Sequence, residues 1–194
     1  MKNVIFFAIV LFIASCSELG QKHHQKGDTT KVLNVVKSIH FASLKESSFG
    51  KVDLSENDST IEANYLPSNF DVNVDSLERP FGTYTVFKKQ VYFADLNDDD
   101  MIDALVGLSF SPYGGNGFQS YFGVLINKNN DYFLVDSLNA GSHCGEPILK
   151  VDSISNLMIY VSGLAYRHND SCCCPTEPIK RQYVLKKNKV LMLQ

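Results

Sequence analysis

Four oxygen-bearing side chains fall at a spacing that suits a hard cation. Asp95, Asn97, Asp99 and Asp103 take positions 1, 3, 5 and 9 of the run Asp95-Leu96-Asn97-Asp98-Asp99-Asp100-Met101-Ile102-Asp103, with the Met101 carbonyl at position 7. Ca²⁺ takes about six to eight oxygen ligands, mostly carboxylates and carbonyls. Alternate side chains can point inward while the backbone turns around the ion. Without a cation these aspartates, and Asp98 beside them, repel one another. Position 6 is Asp100 where such loops use Gly, and Asp reaches positive φ at some cost. The loop is therefore expected to hold a structural calcium weakly, with a Kd on the order of 10⁻⁴ to 10⁻³ M. The alternative is a solvated acidic turn with no specific ion.

A second group of residues has softer chemistry. Ser142-His143-Cys144-Gly145 and His168 with Cys172-Cys173-Cys174 could converge in space. One outcome is disulfide bonding of Cys144 to one of the triplet, closing a loop of about thirty residues and contributing about 3 kcal/mol. The remaining two cysteines could then pair as neighbours, although four cysteines allow three pairings and sequence does not choose among them. The other outcome is a Zn²⁺ or Cu⁺ site built from thiolates and imidazole, which needs reduced cysteines. No nucleophile motif frames Ser142, His143 or His168. The glycine loop Ser111-Pro112-Tyr113-Gly114-Gly115-Asn116-Gly117-Phe118 lacks the Lys-Ser/Thr and the helix of a phosphate loop. It reads as a hairpin tip, with Tyr113 and Phe118 either facing a partner or folded back on the sheet. An enzyme is not expected.

These groups need strands to position them. Val91-Tyr92-Phe93 and Ala104-Leu105-Val106 flank the acidic loop and read as β. Strands are expected over Thr60–Leu66, Thr83–Leu96 with a break near Lys88-Lys89, Ala104–Ser111, Gln119–Asn127 and Tyr132–Leu138. Others follow at Ile148–Ile154, Leu157–Leu164, Ile179–Lys186 and Lys189–Leu193. Lys128-Asn129-Asn130-Asp131, Ser155-Asn156 and Lys187-Asn188 suit hairpin turns, because Asn and Asp tolerate the left-handed conformation. Short links make neighbours antiparallel. Val32–Leu44 carries a helical stripe of Val32, Val36 and Ile39, capped by Asp28 or Thr30. Glu46–Ser59 and Asn69–Pro80 read as loops. The fold class is β-rich α+β: an antiparallel meander with one short N-terminal helix, in a single domain over 32–194.

The N-terminus has another purpose. Lys2 precedes eleven apolar residues from Val4 to Ala14, too few to span a bilayer but fitting a signal-peptide core. Ile13-Ala14-Ser15-Cys16 resembles the lipobox of bacterial lipoproteins, which implies cleavage after residue 15 and lipidation of Cys16. Stable anchoring takes more than one acyl chain. Residues 16–31 are polar and form a tether of roughly 20 Å. The expected setting is the bacterial cell envelope, facing the periplasm or the exterior, where disulfides persist. The net charge of −3 and the lack of a basic stripe argue against nucleic acid. The expected partners are a membrane, through the lipid anchor, and an envelope protein or ligand.

Two resemblances attach to these residues. The strand–loop–strand around Asp95–Asp103 resembles the calcium loop of FG-GAP or integrin-type repeats. Those build propellers from several copies, and one copy does not imply a propeller. Ala94-Asp95-Leu96 through Asp103-Ala104, Gly114-Gly115-Asn116-Gly117, Asp170 and Cys173-Cys174-Pro175-Thr176 together resemble small bacterial lipoproteins of the LppP/LprE type, over residues 84–186. Ala94, Asp98 and Asp100 depart from that pattern, where glycines would stand, as do the added Cys144 and Cys172. The resemblance implies an envelope lipoprotein domain and no assigned catalysis. Alternatives are a periplasmic inhibitor of a hydrolase such as lysozyme, and a metal-handling protein.

Overall fold

The computed structural model describes residues 26–45, 50–67, 82–113 and 117–193. Helix α1 runs Thr29–Lys45. Asp28 caps it, its carboxylate accepting the Lys31 N–H at 3.1 Å, which satisfies a donor that has no partner within the helix. Thr30 lies inside the helix, and so do the last residues assigned to the tether. Val32 and Val36, four apart and therefore on one face, are buried.

Ten strands follow: β1 Gly50–Glu56, β2 Thr60–Pro67, β3 Gly82–Ala94, β4 Asp103–Pro112, β5 Gln119–Lys128, β6 Asp131–Ser142, β7 Ile148–Ser155, β8 Met158–Ala165, β9 Glu177–Lys186 and β10 Lys189–Leu193. The first six form one antiparallel sheet in chain order and the last four form a second. The architecture is the β-rich α+β meander with one N-terminal helix. The hairpin turns fall at Asn129-Asn130, Asn156-Leu157 and Lys187-Asn188, each with both residues at positive φ. That is the turn whose twist matches paired strands. Leu157, expected in a strand, belongs to its turn.

Strand β1 corrects the expected loop over 46–59. It pairs residue by residue with β2, Leu54 facing Ala63. It forms the edge of its sheet, and Asp53, Leu54, Ser55 and Glu56 are all exposed. An edge facing water places no demand for apolar alternation on its sequence. Glu56 instead takes ion pairs with Lys37 of α1 at 2.9 Å and Lys88 of β3 at 2.7 Å. Hydrogen bonds from Lys88 and then Lys37 hold its carboxyl down to about 2.

The central strands of the six-stranded sheet, β4 and β5, are buried on both faces. Val32 and Val36 of α1 pack with Ile61, Ala63, Val86, Ala104, Val106 and Leu125 on one side. Leu105, Phe122, Val124 and Ile126 face the other way, against Leu149, Val151, Ile159, Val161, Tyr183 and Leu185 of the smaller sheet. The period of two along a strand makes this division. Strand β4 supplies both layers, Ala104 and Val106 to the helix side and Leu105 to the sheet side. Burying a side chain of this size contributes about 1.5–3 kcal/mol. Register in β3–β4 slips between Phe87 and Val91, where the sequence suggested a break. The sheets also join through Asp136 of β6, which accepts the Val190 N–H at 2.7 Å. Burial alone would raise the Asp136 carboxyl. The Val190 and Ser137 N–H groups and Lys189 outweigh burial and hold it below its usual value.

Candidate functional site

The acidic loop joins β3 to β4, whose ends pair as Ala94 with Asp103. Its centre is the Asp95 carboxylate. One oxygen accepts the N–H groups of Asn97 at 3.2 Å and Asp98 at 2.8 Å, with Asp99 N–H at 3.4 Å. The other accepts the Asp100 N–H at 3.0 Å. Asn97 accepts the Asp99 N–H at 3.2 Å and donates from its amide to the Asp99 carboxylate at 2.9 Å. Asp99 in turn accepts the Met101 N–H at 2.9 Å. Asp98 and Asp100 sit at φ 65° and 62°. Asp100 thus takes the turn conformation for which Gly is usual, and Asp98 takes it too. Both tolerate it because a short polar side chain can bond locally.

Asp103 stands apart from this exposed cluster. It is fully buried, and its two oxygens accept N–H groups from separate elements: Leu96 at 2.9 Å and Asn127 of β5 at 2.8 Å. Burial pushes its carboxyl up to about 6, against the pull of the Asn127 and Leu96 N–H bonds, with the charges of Asp99 and Asp95 pushing the same way as burial. Positions 1, 5 and 9 therefore lie within electrostatic reach of one another. The sequence reading gave Asp103 only a ligand role, but its oxygens also stitch the loop to β5. A carboxylate oxygen accepts more than one bond, so those N–H contacts leave acceptor capacity. Sequence reasoning missed Asn127. Its backbone N–H serves Asp103 and its side-chain amide donates to the Ile102 carbonyl at 3.1 Å. The signal was a buried amide ending the apolar run Val124-Leu125-Ile126.

At the opposite end of the chemistry, a disulfide joins Cys144 in the β6–β7 link to Cys172 in the β8–β9 link, 28 residues apart. The neighbouring Cys173 and Cys174 sulfurs lie against each other. Non-covalent bonds support the same junction. The Tyr166 hydroxyl reaches the carbonyls of Cys172 at 2.9 Å and Ser142 at 3.3 Å. Asp170 closes the cysteine loop, accepting the N–H groups of Arg167 at 2.8 Å and Thr176 at 2.9 Å, and the Thr176 hydroxyl at 2.9 Å. The Arg167 N–H bond is the main cause holding the Asp170 carboxyl below its ordinary value, helped by Thr176. Asp170 and Thr176 are thus the two ends of one clasp around Cys172-Cys173-Cys174-Pro175.

His143 lies beside the disulfide. Among the described residues, its ring nitrogen and the sulfurs of Cys144 and Cys172 form a cluster with all ligand atoms within 4.8 Å of one another. The two stretches meet through Cys144 and Cys172, while His168, Cys173 and Cys174 are not in that cluster. The Ser142 hydroxyl oxygen accepts the Glu146 N–H at 2.9 Å. Phe118 folds back here. Its carbonyl accepts the His143 N–H at 3.0 Å and its ring meets the imidazole edge-on at 6.4 Å. Tyr113 is exposed. Residues 114–116 of the glycine loop, residues 69–80, the signal-peptide run, Cys16 and most of the tether lie outside the described residues.

Compared with protein families, curated proteins and solved structures, the chain matches none. No helix among the described residues is long and apolar enough to cross a membrane.

Proposed function

We propose that this chain is a lipid-anchored protein of the bacterial cell envelope whose β-rich domain does non-catalytic binding or structural work, steadied by calcium at residues 95–103. Cys16 carries the anchor. Asp95, Asn97, Asp99, Asp103 and the Met101 carbonyl supply the oxygens. The observation that carries the calcium reading is the loop's backbone. The Asp95 carboxylate gathers the N–H groups of the next turn, with left-handed residues at loop positions 4 and 6. Asp103 feels the charges of Asp99 and Asp95. A cation there relieves a repulsion that the sequence otherwise builds in.

The experiment is a pair of thermal melts, with millimolar Ca²⁺ and with chelator. A higher midpoint in calcium, lost in Asp95→Ala, supports the site; identical midpoints remove it. The anchor is tested separately by membrane fractionation and mass spectrometry. Wild-type protein sediments with membranes and carries acyl chains on Cys16, whereas Cys16→Ser does neither.

A further inference from the structure

We propose that the His143–Cys144–Cys172 cluster becomes a zinc site when its disulfide is reduced. The three ligand atoms already lie within 4.8 Å of one another. Zn–S bonds of about 2.3 Å and Zn–N bonds of about 2.0 Å place tetrahedral ligands roughly 3.5 Å apart. To reach that spacing the imidazole nitrogen closes on the sulfurs, and the two sulfurs, once unbonded, move apart. Two thiolates and an imidazole are the donors this borderline-soft ion takes, and three protein ligands leave a fourth position for water. Cys144 and Cys172 are exposed and His143 is half-buried, so an ion in solution can reach them.

Hydrogen bonds that do not pass through the sulfurs also hold the backbone around the cluster. The Tyr166 hydroxyl spans the Ser142 and Cys172 carbonyls, joining the two loops that carry the ligands. The Ser142–Glu146 turn holds the first loop through two further bonds. The Asp170–Thr176 clasp holds the second. Phe118 fixes the His143 backbone. Opening the S–S bond therefore leaves two thiols facing one imidazole. A dithiol is the reductant. It gives two electrons and two protons to the Cys144–Cys172 bond, which becomes two thiols, and itself closes to a disulfide. Zn²⁺ then takes both sulfurs as thiolates and displaces two protons. The same loops are cross-linked in either state, by a covalent bond when oxidised and by a metal when reduced. This proposal does not depend on calcium at residues 95–103.

The test is zinc titration of the full chain before and after dithiol reduction, with the dithiol removed under inert gas and a chromophoric chelator as competitor. The reduced chain is expected to take up one tightly held Zn²⁺ and the oxidised chain none. Cys144→Ser and Cys172→Ser should each lower affinity at least about 100-fold, and His143→Ala about tenfold, effects no smaller than loss of an outer-sphere partner of a metal. The double variant Cys173→Ser/Cys174→Ser should stay within about threefold of wild type, since those sulfurs are not ligands. Alkylation read by mass spectrometry gives a second measurement on unmutated protein. Zn²⁺ should protect Cys144 and Cys172 and leave Cys173 and Cys174 reactive. Equal uptake by oxidised and reduced chains, or zinc that follows Cys173 and Cys174 instead, overturns the proposal.

Discussion

The acidic loop and the cysteine clasp are built on one plan and secured by opposite means. In each, a single exposed-loop carboxylate gathers backbone N–H groups: Asp95 those of residues 97, 98 and 100, Asp170 those of 167 and 176. The acidic loop is then fastened from beneath, where buried Asp103 and Leu96 root it between two packed sheets. The cysteine loop has no such root. It links exposed strand ends of the smaller sheet, and a covalent bond to the β6–β7 link stands in for a core. A loop over a core can be held by hydrogen bonds, because burial makes breaking them expensive. A loop over solvent is held less firmly that way, because water competes for every partner.

The strongest way to break this comparison is to remove the covalent bond. Cys144→Ser/Cys172→Ser frees a loop of 28 residues, and chain entropy puts the loss at about 3–4 kcal/mol. Urea denaturation should show a lower midpoint and a steeper slope, because the unfolded chain is no longer held compact. A loss under about 1 kcal/mol would mean that the Tyr166 and Asp170 bonds already hold the junction.

Asp103→Ala attacks the other loop at its root. It strands the Leu96 and Asn127 N–H groups in the protein interior, at about 1–3 kcal/mol for each unsatisfied donor. The expected loss is about 3 kcal/mol in the same denaturation experiment, close to that of the disulfide. Asp95→Ala, on the exposed side, should cost less and act chiefly through calcium. With a Kd on the order of 10⁻³ M, 10 mM Ca²⁺ adds about 1.4 kcal/mol to the wild type. Nothing should be gained by the Asp95→Ala protein in differential scanning calorimetry.

The sequence revealed the parts of the fold that a local rule governs. Paired positive-φ residues at Asn129-Asn130 and Lys187-Asn188 mark hairpins in a window of four residues. The apolar run Ala104-Leu105-Val106 marked a strand, although not that its residues would divide between two cores. Strand β1 was hidden because an exposed edge needs no apolar pattern and takes its order from β2. Leu157 was hidden because a two-residue turn accepts a poor residue when its neighbours are well paired. In the acidic loop the spacing drew attention to Asp95, Asn97, Asp99 and Asp103. It could not show that Asp103 bonds Asn127, 24 residues away, because that depends on the register of β4 against β5. The Asp170–Thr176 clasp was visible only as two ends of a resembled motif, without the hydrogen bonds that join them. Tyr166 carried no signal at all, since its role depends on where two loops meet.

Acidity gives the sharpest contrast, because the two regions respond with opposite sign. The Asp103 carboxyl is raised from 3.8 to about 6, first by burial. A raised carboxyl favours folding when protonated, so its contribution is present below about 4 and is lost as pH climbs through 6. Asp170 is lowered, chiefly by the Arg167 N–H, so its contribution is present above the ordinary carboxylate value and fades as pH falls through its own lower one. Amide hydrogen exchange, corrected for its intrinsic pH dependence, separates them residue by residue. From pH 7 to 4 without calcium, the opening free energy at Leu96 and Asn127 should rise while that at Thr176 and Arg167 holds; below pH 4 the latter pair should weaken. Adding calcium at pH 6 should pull the Asp103 midpoint down, because a cation favours the charged form. An Asp103 titration that calcium does not move would leave the acidic loop as a hydrogen-bonded turn, held from below by Asp103 alone.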